Sequence, residues 1–354
     1  MIRVLHVSRE FEPRSSGVAR HIHGLALALA GEADLHLEIL APRVDAEPGP
    51  YTLSRGSYAA LGAAIARNNI LHVHGARTPL AAAAAHLAAL RGTPVLYTPH
   101  CYYDSGGSGK RLLKRAWDLS VERSLMRRSQ AVILLHDGWP ADLVRRGLQP
   151  RRTLIVPNCI DDAGSAADLP AQPLDGQPAI LSIGRLDPIK RLDDVIAALR
   201  DPALGEAVLH LVGRGDDRPR LEALAQRLGV GTRVRFHGWQ DDAATQRMMR
   251  GCDLMVLASE REGLPTVILE ALLAGVPIAC SDIDGNRAIT QRVGWQAHFP
   301  LGAIPALAAC LKQTAGRRVS AEVIEAVRSQ FTWQRRAAEL AGVYRQLHAQ
   351  SQRA

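Results

Sequence analysis

Two carboxylates, Glu262 and Glu270, bracket the segment Glu-Gly-Leu-Pro-Thr-Val-Ile-Leu-Glu, with seven residues between them. The apolar run 253–258 ahead of it reads as a strand, and residues from about 265 to 274 read as a helix. Glu262 then falls on a strand-to-helix loop and Glu270 inside the helix. Gly263 and Pro265 let the chain turn sharply and start the helix. The free N–H groups of a helix start suit a phosphate, and a carboxylate on each side could hold sugar hydroxyls. Strand, Gly-Pro turn and amphipathic helix also occur throughout α/β domains, so the segment gains meaning only from what accompanies it.

Five other places carry candidate chemistry. Pro13-Arg-Ser-Ser-Gly17-Val-Ala-Arg20-His21 follows the first strand and opens a helix, a place where small residues let backbone lie against a phosphate. Thr98-Pro-His100 puts an imidazole at a strand end, where a ligand-facing role competes with a purely structural one. In Ile183-Gly184-Arg185-Leu-Asp-Pro-Ile-Lys190, two cations flank a proline turn. Arg185 offers a two-pronged grip on phosphoryl oxygens and Lys190 a point charge, enough to neutralise a departing diphosphate without a metal. Val212-Gly213-Arg-Gly215 is only a fragment of a dinucleotide fingerprint and lacks its third glycine, so NAD is not expected. Asp282 and Asp284 could share a divalent ion, but Arg185 and Lys190 already supply the charge, and no metal is expected.

The elements that must position these residues alternate along the chain. Apolar runs at 2–7, 37–40, 70–74, 95–98, 131–135 and 153–156 are separated mostly by helical segments, for example 19–31 and 59–68. Residues 157–178 break the pattern, being rich in Pro, Ala, Asp and Gly. Strand-like runs resume at 180–183, 208–212, 234–236, 254–257 and 277–280, each followed by a helix, and a last amphipathic helix covers 332–349. This predicts an α/β protein of two Rossmann-like doubly wound domains facing across a cleft. The expected division is 1–158, a linker at 159–178, and 179–331, with 332–354 crossing back to the first domain.

The bulk numbers agree with two cores: 354 residues, 47% hydrophobic. The five scattered cysteines include no Cys-x-x-Cys, which argues for reduced thiols and against structural zinc. The start of the chain carries charges where a secretory signal needs an apolar core. The expected setting is the cytoplasm, including the inner face of the cytoplasmic membrane. The net charge is +8, and residues 1–158 hold all of the excess, with 20 Lys+Arg against 12 Asp+Glu. Much of it lies in 109–128, read as a helix with Leu112, Ala116, Leu119 and Arg123 on one flank and Lys110, Lys114 and Trp117 on another. Such a helix suits an anionic membrane surface, an acidic substrate or simply water.

In combination and order, these motifs resemble the retaining glycosyltransferases of GT-B fold, family 4. The resemblance rests on the loop at Gly17, Gly-Arg-Leu-x-x-x-Lys from Gly184 to Lys190, Val-Gly-x-Gly with the later Phe236-His-Gly238, and Glu-x7-Glu from Glu262 to Glu270. It covers nearly the whole chain. It implies that Gly184, Arg185 and Lys190 bind the donor diphosphate and stabilise the leaving group, and that Glu270 takes the ribose hydroxyls. Glu262 would hold a hydroxyl of the transferred sugar, while the stretch Gly263, Leu264, Pro265 and Thr266 presents its backbone N–H groups, Pro265 having none of its own. Gly238 would lie along the base, Gly17 would approach the diphosphate, and His100 would contact the sugar near the reacting carbon.

The implied reaction moves a hexose-type sugar from a UDP- or GDP-linked donor to a glycan or glycolipid hydroxyl with retention, with no cofactor or metal. The expected context is bacterial envelope polysaccharide or lipopolysaccharide synthesis, with 109–128 against an anionic membrane. Departures from the family pattern are Ser16-Gly17 for Gly-Gly, Cys159 where Gly is usual after Asn158, and Gly285-Asn-Arg-Ala288 without the usual acid. Alternatives are a sugar epimerase or phosphorylase of the same fold, a noncatalytic sugar-binding module, and a basic nucleic-acid-binding protein. The last is disfavoured by four Phe and six Tyr, which leave few stacking platforms, so no nucleic-acid partner is expected.

Overall fold

A computed structural model describes residues 1–13, 16–104, 107–162 and 169–353. The chain divides into two compact units, Met1–Asp161 with Phe331–Ala354, and Asp162–Gln330. Part of the Gly17 loop (Arg14, Ser15) and part of the expected linker (163–168) lie outside the described residues.

The first unit is a seven-stranded sheet of β1 (Ile2–Val7), β2 (Leu35–Ala41), β3 (Thr52–Arg55), β4 (Ile70–His74), β5 (Val95–Thr98), β6 (Ala131–Leu134) and β7 (Thr153–Ile155). The order is β3-β2-β1-β4-β5-β6-β7, with every pair parallel. β1 and β4 are Val/Leu/Ile-rich and buried on both faces, as a helix-covered parallel sheet requires. β3 was not foreseen: its residues Thr-Leu-Ser-Arg are partly exposed, and an edge strand carries a weak apolar signal. The C-terminal helix Trp333–Ser351 belongs to this unit. It buries Trp333, Ala337, Leu340, Tyr344 and Leu347 against the same core as Ile22 and Leu25 of the helix Gly17–Leu29.

The second unit has six parallel strands, β8 (Ala179–Ile183), β9 (Val208–Val212), β10 (Val234–Gly238), β11 (Leu254–Leu257), β12 (Ile278–Ser281) and β13 (His298–Phe299), ordered β10-β9-β8-β11-β12-β13. The two-residue β13 is too short to show as a periodic run. Residues 172–177, read as linker, are tied into this unit. Gln172 N–H donates to the Arg247 carbonyl at 2.9 Å, and Gln177 N–H to that of Glu206 at 2.8 Å.

The reading of 109–128 as one regular helix needs correction. The helix Ser108–Trp117 runs into a π-helical turn, Asp118–Glu122, before Arg123–Arg128. The wider turn rotates everything after it relative to an unbroken α-helix. Asp118, Glu122, Leu125 and Met126 turn inward, while Leu112 and Leu119 are exposed. Burying two carboxylates is tolerable because each is bonded. Arg77 makes a two-pronged pair with Asp118, at 2.7 and 2.6 Å. Glu122 accepts from the hydroxyls of Tyr97 and Tyr102 and from Trp117 Nε1. Burial raises the Glu122 carboxyl above its ordinary range despite these donors.

Candidate functional site

Each sheet reverses its strand order once, between β1 and β4 in the first unit and between β8 and β11 in the second. Chains leave such a switch point in opposite directions, which opens a crevice at the strand ends.

In the second unit a recess at that point is lined by Ser182 and Ile183 of β8, then Gly184, Arg185 and Lys190, with Leu257 and Ala258 from the end of β11. Asp187 caps the short turn Pro188–Lys190 by accepting from Ile189 N–H at 3.1 Å, which aims Lys190 back over the recess. Lys190 Nζ donates to Glu262 Oε1 at 2.7 Å, so two residues far apart in sequence form a mostly buried ion pair. Arg185 points to solvent, with its side chain 63% exposed and 3.9 Å from Asp187.

Two glycines close this site. A Cβ on Gly213, whose φ is +138°, would lie 1.9 Å from the Gly184 carbonyl oxygen, and one on Gly285 would lie 2.6 Å from that of Glu262. The fragment Val-Gly-x-Gly is therefore a packing requirement for the loop that carries Gly184. Gly213 N–H also donates to the Gly238 carbonyl at 2.7 Å, which brings Gly238 to the neighbouring strand end. The β11 loop is anchored to the β8 turn by Glu260 N–H donating to the Ile189 carbonyl at 2.8 Å. Gly263, Leu264 and Pro265 are buried. Pro265 caps the helix Thr266–Leu273 in extended conformation, and Glu270 lies partly exposed on that helix. Arg287 pairs with both Asp282 and Asp284, so these carboxylates already have a cation between them.

In the first unit the β1/β4 switch point is filled by histidines. His6 of β1 pairs in register with His72 of β4, and His74 lies two residues on. His6 Nδ1 lies 2.9 Å from His74 Nε2, and His74 Nδ1 lies 3.1 Å from His100 Nε2. His21, on the helix that Gly17 opens, meets His100 edge-on with ring centroids 4.9 Å apart and bonds Asn158 at 3.0 Å. Burial lowers the affinity of these rings for a second proton, helped by their mutual repulsion. His6 is pushed down to about 3 and His21 to about 4, while His72, His74 and His100 lie well below the ordinary value. All five are neutral at pH 7.

His100 is also conformationally unusual. Its φ is +62°, and Cys101 N–H reaches back to the Pro99 carbonyl at 2.8 Å, which makes a strained three-residue turn centred on the histidine. Non-glycine residues held this way cluster at functional sites. Gly17 opens its helix with Ser16 accepting from Ala19 N–H, and nothing within 4 Å opposes a Cβ there.

Of the residues singled out in the sequence, the structure joins Gly184, Arg185, Lys190, Glu262 and the start of Thr266–Leu273 in one unit. It connects Gly17 with His100 through His21 in the other. Sequence reasoning quoted His21 within the Gly17 loop but gave it no role, and missed His74; the spacing His72-Val-His74, two like residues on one strand face, was the available signal.

A family model for glycosyl transferases group 1 matches residues 167–310, and one for a glycosyl transferase 4-like domain matches 33–159. The lipopolysaccharide core biosynthesis glycosyltransferase LpsE of Rhizobium meliloti is 38% identical over 110 residues, 31% of each chain. Across the first three curated relatives the matched stretch covers 31%, 42% and 61% of the relative's length. Among solved structures, the sucrose-phosphate synthase of Thermosynechococcus elongatus superposes with a TM-score of 0.78 at 21% identity, covering 99% of this chain and 100% of that one. Anabaena Alr3699/HepE, solved in complex with UDP-glucose, gives 0.75 at 17% identity, covering 97% and 100%. With both units matched in turn and the fold shared along its length, the chain belongs to the group 1 glycosyltransferases of GT-B fold.

Proposed function

We propose that the protein is a retaining glycosyltransferase that moves a hexose-type sugar from a UDP- or GDP-linked donor to a hydroxyl of a glycan or glycolipid. The Lys190–Glu262 ion pair at the β8/β11 switch point, with Arg185 at its rim, carries this reading. A diphosphate arriving there offers Lys190 a more highly charged partner and frees Glu262 for a sugar hydroxyl. Arg185 adds a second cation as negative charge builds on the leaving group. Glu270 takes the ribose hydroxyls and Gly238 lies along the base. The backbone from Gly263 to Thr266 supports the diphosphate and sugar. From the first unit we assign Gly17 to the diphosphate and His100 to the sugar near the reacting carbon.

In a same-face displacement the departing diphosphate helps take the acceptor proton, so the protein's work is positioning and charge neutralisation. Residues 184–190 supply the positive charge, and transfer should continue in EDTA; loss of activity on chelation would promote Asp282 and Asp284. The test of the reaction is product analysis with UDP- and GDP-hexoses. An α-linked donor should give an α-linked product, and an inverted anomer would overturn the assignment.

The envelope context is suggested by LpsE's role in lipopolysaccharide core biosynthesis and by the basic first unit. No helix among the described residues is long and apolar enough to cross a membrane. The helix Ser108–Trp117 buries none of its residues and exposes Leu112 (71%) and Leu113 (73%) among Lys110, Arg111, Lys114 and Arg115. That combination suits an anionic lipid surface. Vesicles with and without anionic lipid, compared at low salt, test it; equal weak binding to both would remove the membrane from the proposal.

A further inference from the structure

The buried histidines of the first unit form one unbranched hydrogen-bond chain. Thr98 Oγ1 lies 2.8 Å from His72 Nε2, and His72 Nδ1 lies 2.9 Å from the Tyr344 hydroxyl. That hydroxyl lies 3.3 Å from His6 Nε2, His6 Nδ1 lies 2.9 Å from His74 Nε2, and His74 Nδ1 lies 3.1 Å from His100 Nε2. Thr98, His72, Tyr344, His6 and His74 are fully buried, and His100 nearly so.

His6, His72 and His74 stand close enough together to suggest a metal site. However, all six of their ring nitrogens already have a hydrogen-bond partner in this chain. A metal would have to break several of these bonds without access from solvent.

A chain of neutral imidazoles has only two consistent polarities, because each ring has one N–H and one lone pair. The far end chooses between them. Among the described residues, His72 Nε2 is the one hydrogen-bond partner of the Thr98 hydroxyl. A buried O–H that did not donate there would have no acceptor, which is the costlier defect. Thr98 therefore donates to His72, whose Nδ1–H donates to Tyr344. The Tyr344 O–H then donates to His6, His6 Nδ1–H to His74, and His74 Nδ1–H to His100 Nε2.

We propose that Thr98, His72, Tyr344, His6 and His74 are positioning residues that lock His100 as its Nδ1–H tautomer, so that His100 meets its ligand as a hydrogen-bond donor and not as a base. The natural counterpart is an oxygen lone pair, such as that of a sugar hydroxyl or ring oxygen. The identity of that ligand rests on the function proposed above, whereas the tautomer does not.

The experiment is nitrogen NMR of protein labelled with 15N-histidine, which separates N–H from lone-pair ring nitrogens, with His100→Gln used to assign the signal. The expected result is that His6, His72, His74 and His100 each show a single tautomer protonated at Nδ1. Tyr344→Phe cuts the chain at its centre, and Thr98→Val removes its source with little change of volume. Each leaves a ring lone pair unpaired in the proposed polarity but would leave a ring N–H unpaired in the reverse one, so each should narrow the preference and raise the minor share of the Nε2–H form of His100 without inverting it, while Thr98→Ser should keep the wild-type pattern. The His210–His237 pair of the second unit, 2.9 Å apart, should be unmoved in all three. His100 protonated mainly at Nε2 in the wild type or in Thr98→Ser would overturn the proposal. So would zinc raising the melting temperature of the wild type but not of His72→Gln. A correct tautomer together with full transfer activity in His100→Gln would leave the chain standing and remove only the sugar contact.

Discussion

The two switch points share a topology and differ in almost everything that fills it. At β1/β4 the crevice is packed with neutral histidines, sealed by Tyr344 from the C-terminal helix and closed to water. At β8/β11 it is lined by backbone, glycines and charged side chains, with Lys190 and Glu262 paired and Arg185 in solvent. Polar groups buried without charge must satisfy one another, and in doing so they become rigid and specific. Charged side chains at the rim of a crevice, with Arg185 in solvent and Lys190 paired but 21% exposed, can exchange water or one another for a ligand. The second arrangement suits the binding and release of a charged diphosphate. The first suits the presentation of one imidazole in one orientation and one tautomer.

Substitutions should separate the two kinds of site. The largest effect is expected from Glu262→Ala, which removes the carboxylate proposed to hold the transferred sugar and leaves Lys190 unpaired. Turnover should fall by at least about 10²-fold, as for loss of one preorganised electrostatic contact, and the melting temperature should fall as well, because the Glu262 side chain is only 9% exposed and its loss leaves Lys190 unpaired. Near-wild-type rates on the true substrates would remove Glu262 from the mechanism.

Gly213→Ala tests whether the second crevice depends on backbone contact. The added carbon collides with the Gly184 carbonyl, which is not a flexible side chain. A stability loss of about 1–3 kcal/mol is expected, typical of overpacking, with weaker nucleotide binding. A silent substitution would mean that the two loops move apart freely.

Acid sharpens the comparison from the other side. The folded-state values of His6 (about 3) and His21 (about 4) lie below the ordinary unfolded value, so the unfolded chain binds more protons between those limits. Their contribution to stability is complete above about pH 7 and is lost as pH falls from about 6.5 toward 4, at up to about 1.4 kcal/mol per pH unit for each ring held neutral. In the second unit, burial lowers the partly buried His237 and His298. Thermal melts followed by probes in each unit should therefore show the first unit weakening sooner. Equal sensitivity of both units would contradict the neutral cluster. The smallest effect is expected from Leu112→Ser with Leu113→Ser: both side chains are exposed, so stability should stay within about 0.5 kcal/mol while binding to anionic vesicles falls.

Much of this was legible in the sequence where the signal is local. Long apolar runs gave the central strands, and the loops at Gly184 and Glu262 stood out because charged residues sit at the ends of such runs. The short edge strands β3 and β13 escaped because an edge strand needs no continuous apolar pattern. The π-turn at Asp118–Glu122 escaped because its cause is tertiary: Glu122 is drawn inward by Tyr97 and Tyr102. The histidine chain escaped for the same reason, since Thr98, His6 and Tyr344 meet only once β1, β4, β5 and the last helix are assembled. His100 was visible as a strand-end histidine, but its strained turn and its buried partners were not.

The central claim is that the β8/β11 crevice binds a nucleotide-diphosphate sugar through Arg185 and Lys190. Calorimetric titration of the whole protein, without metal, against UDP, GDP, ADP and their hexose conjugates tests it most directly. The expected result is binding of one nucleotide family, weakened by at least about tenfold in Arg185→Ala with Lys190→Ala, since each charge-assisted bond contributes about 1.5–3 kcal/mol. Heats that are equal in wild type and double variant, or binding to none of the panel, would contradict it.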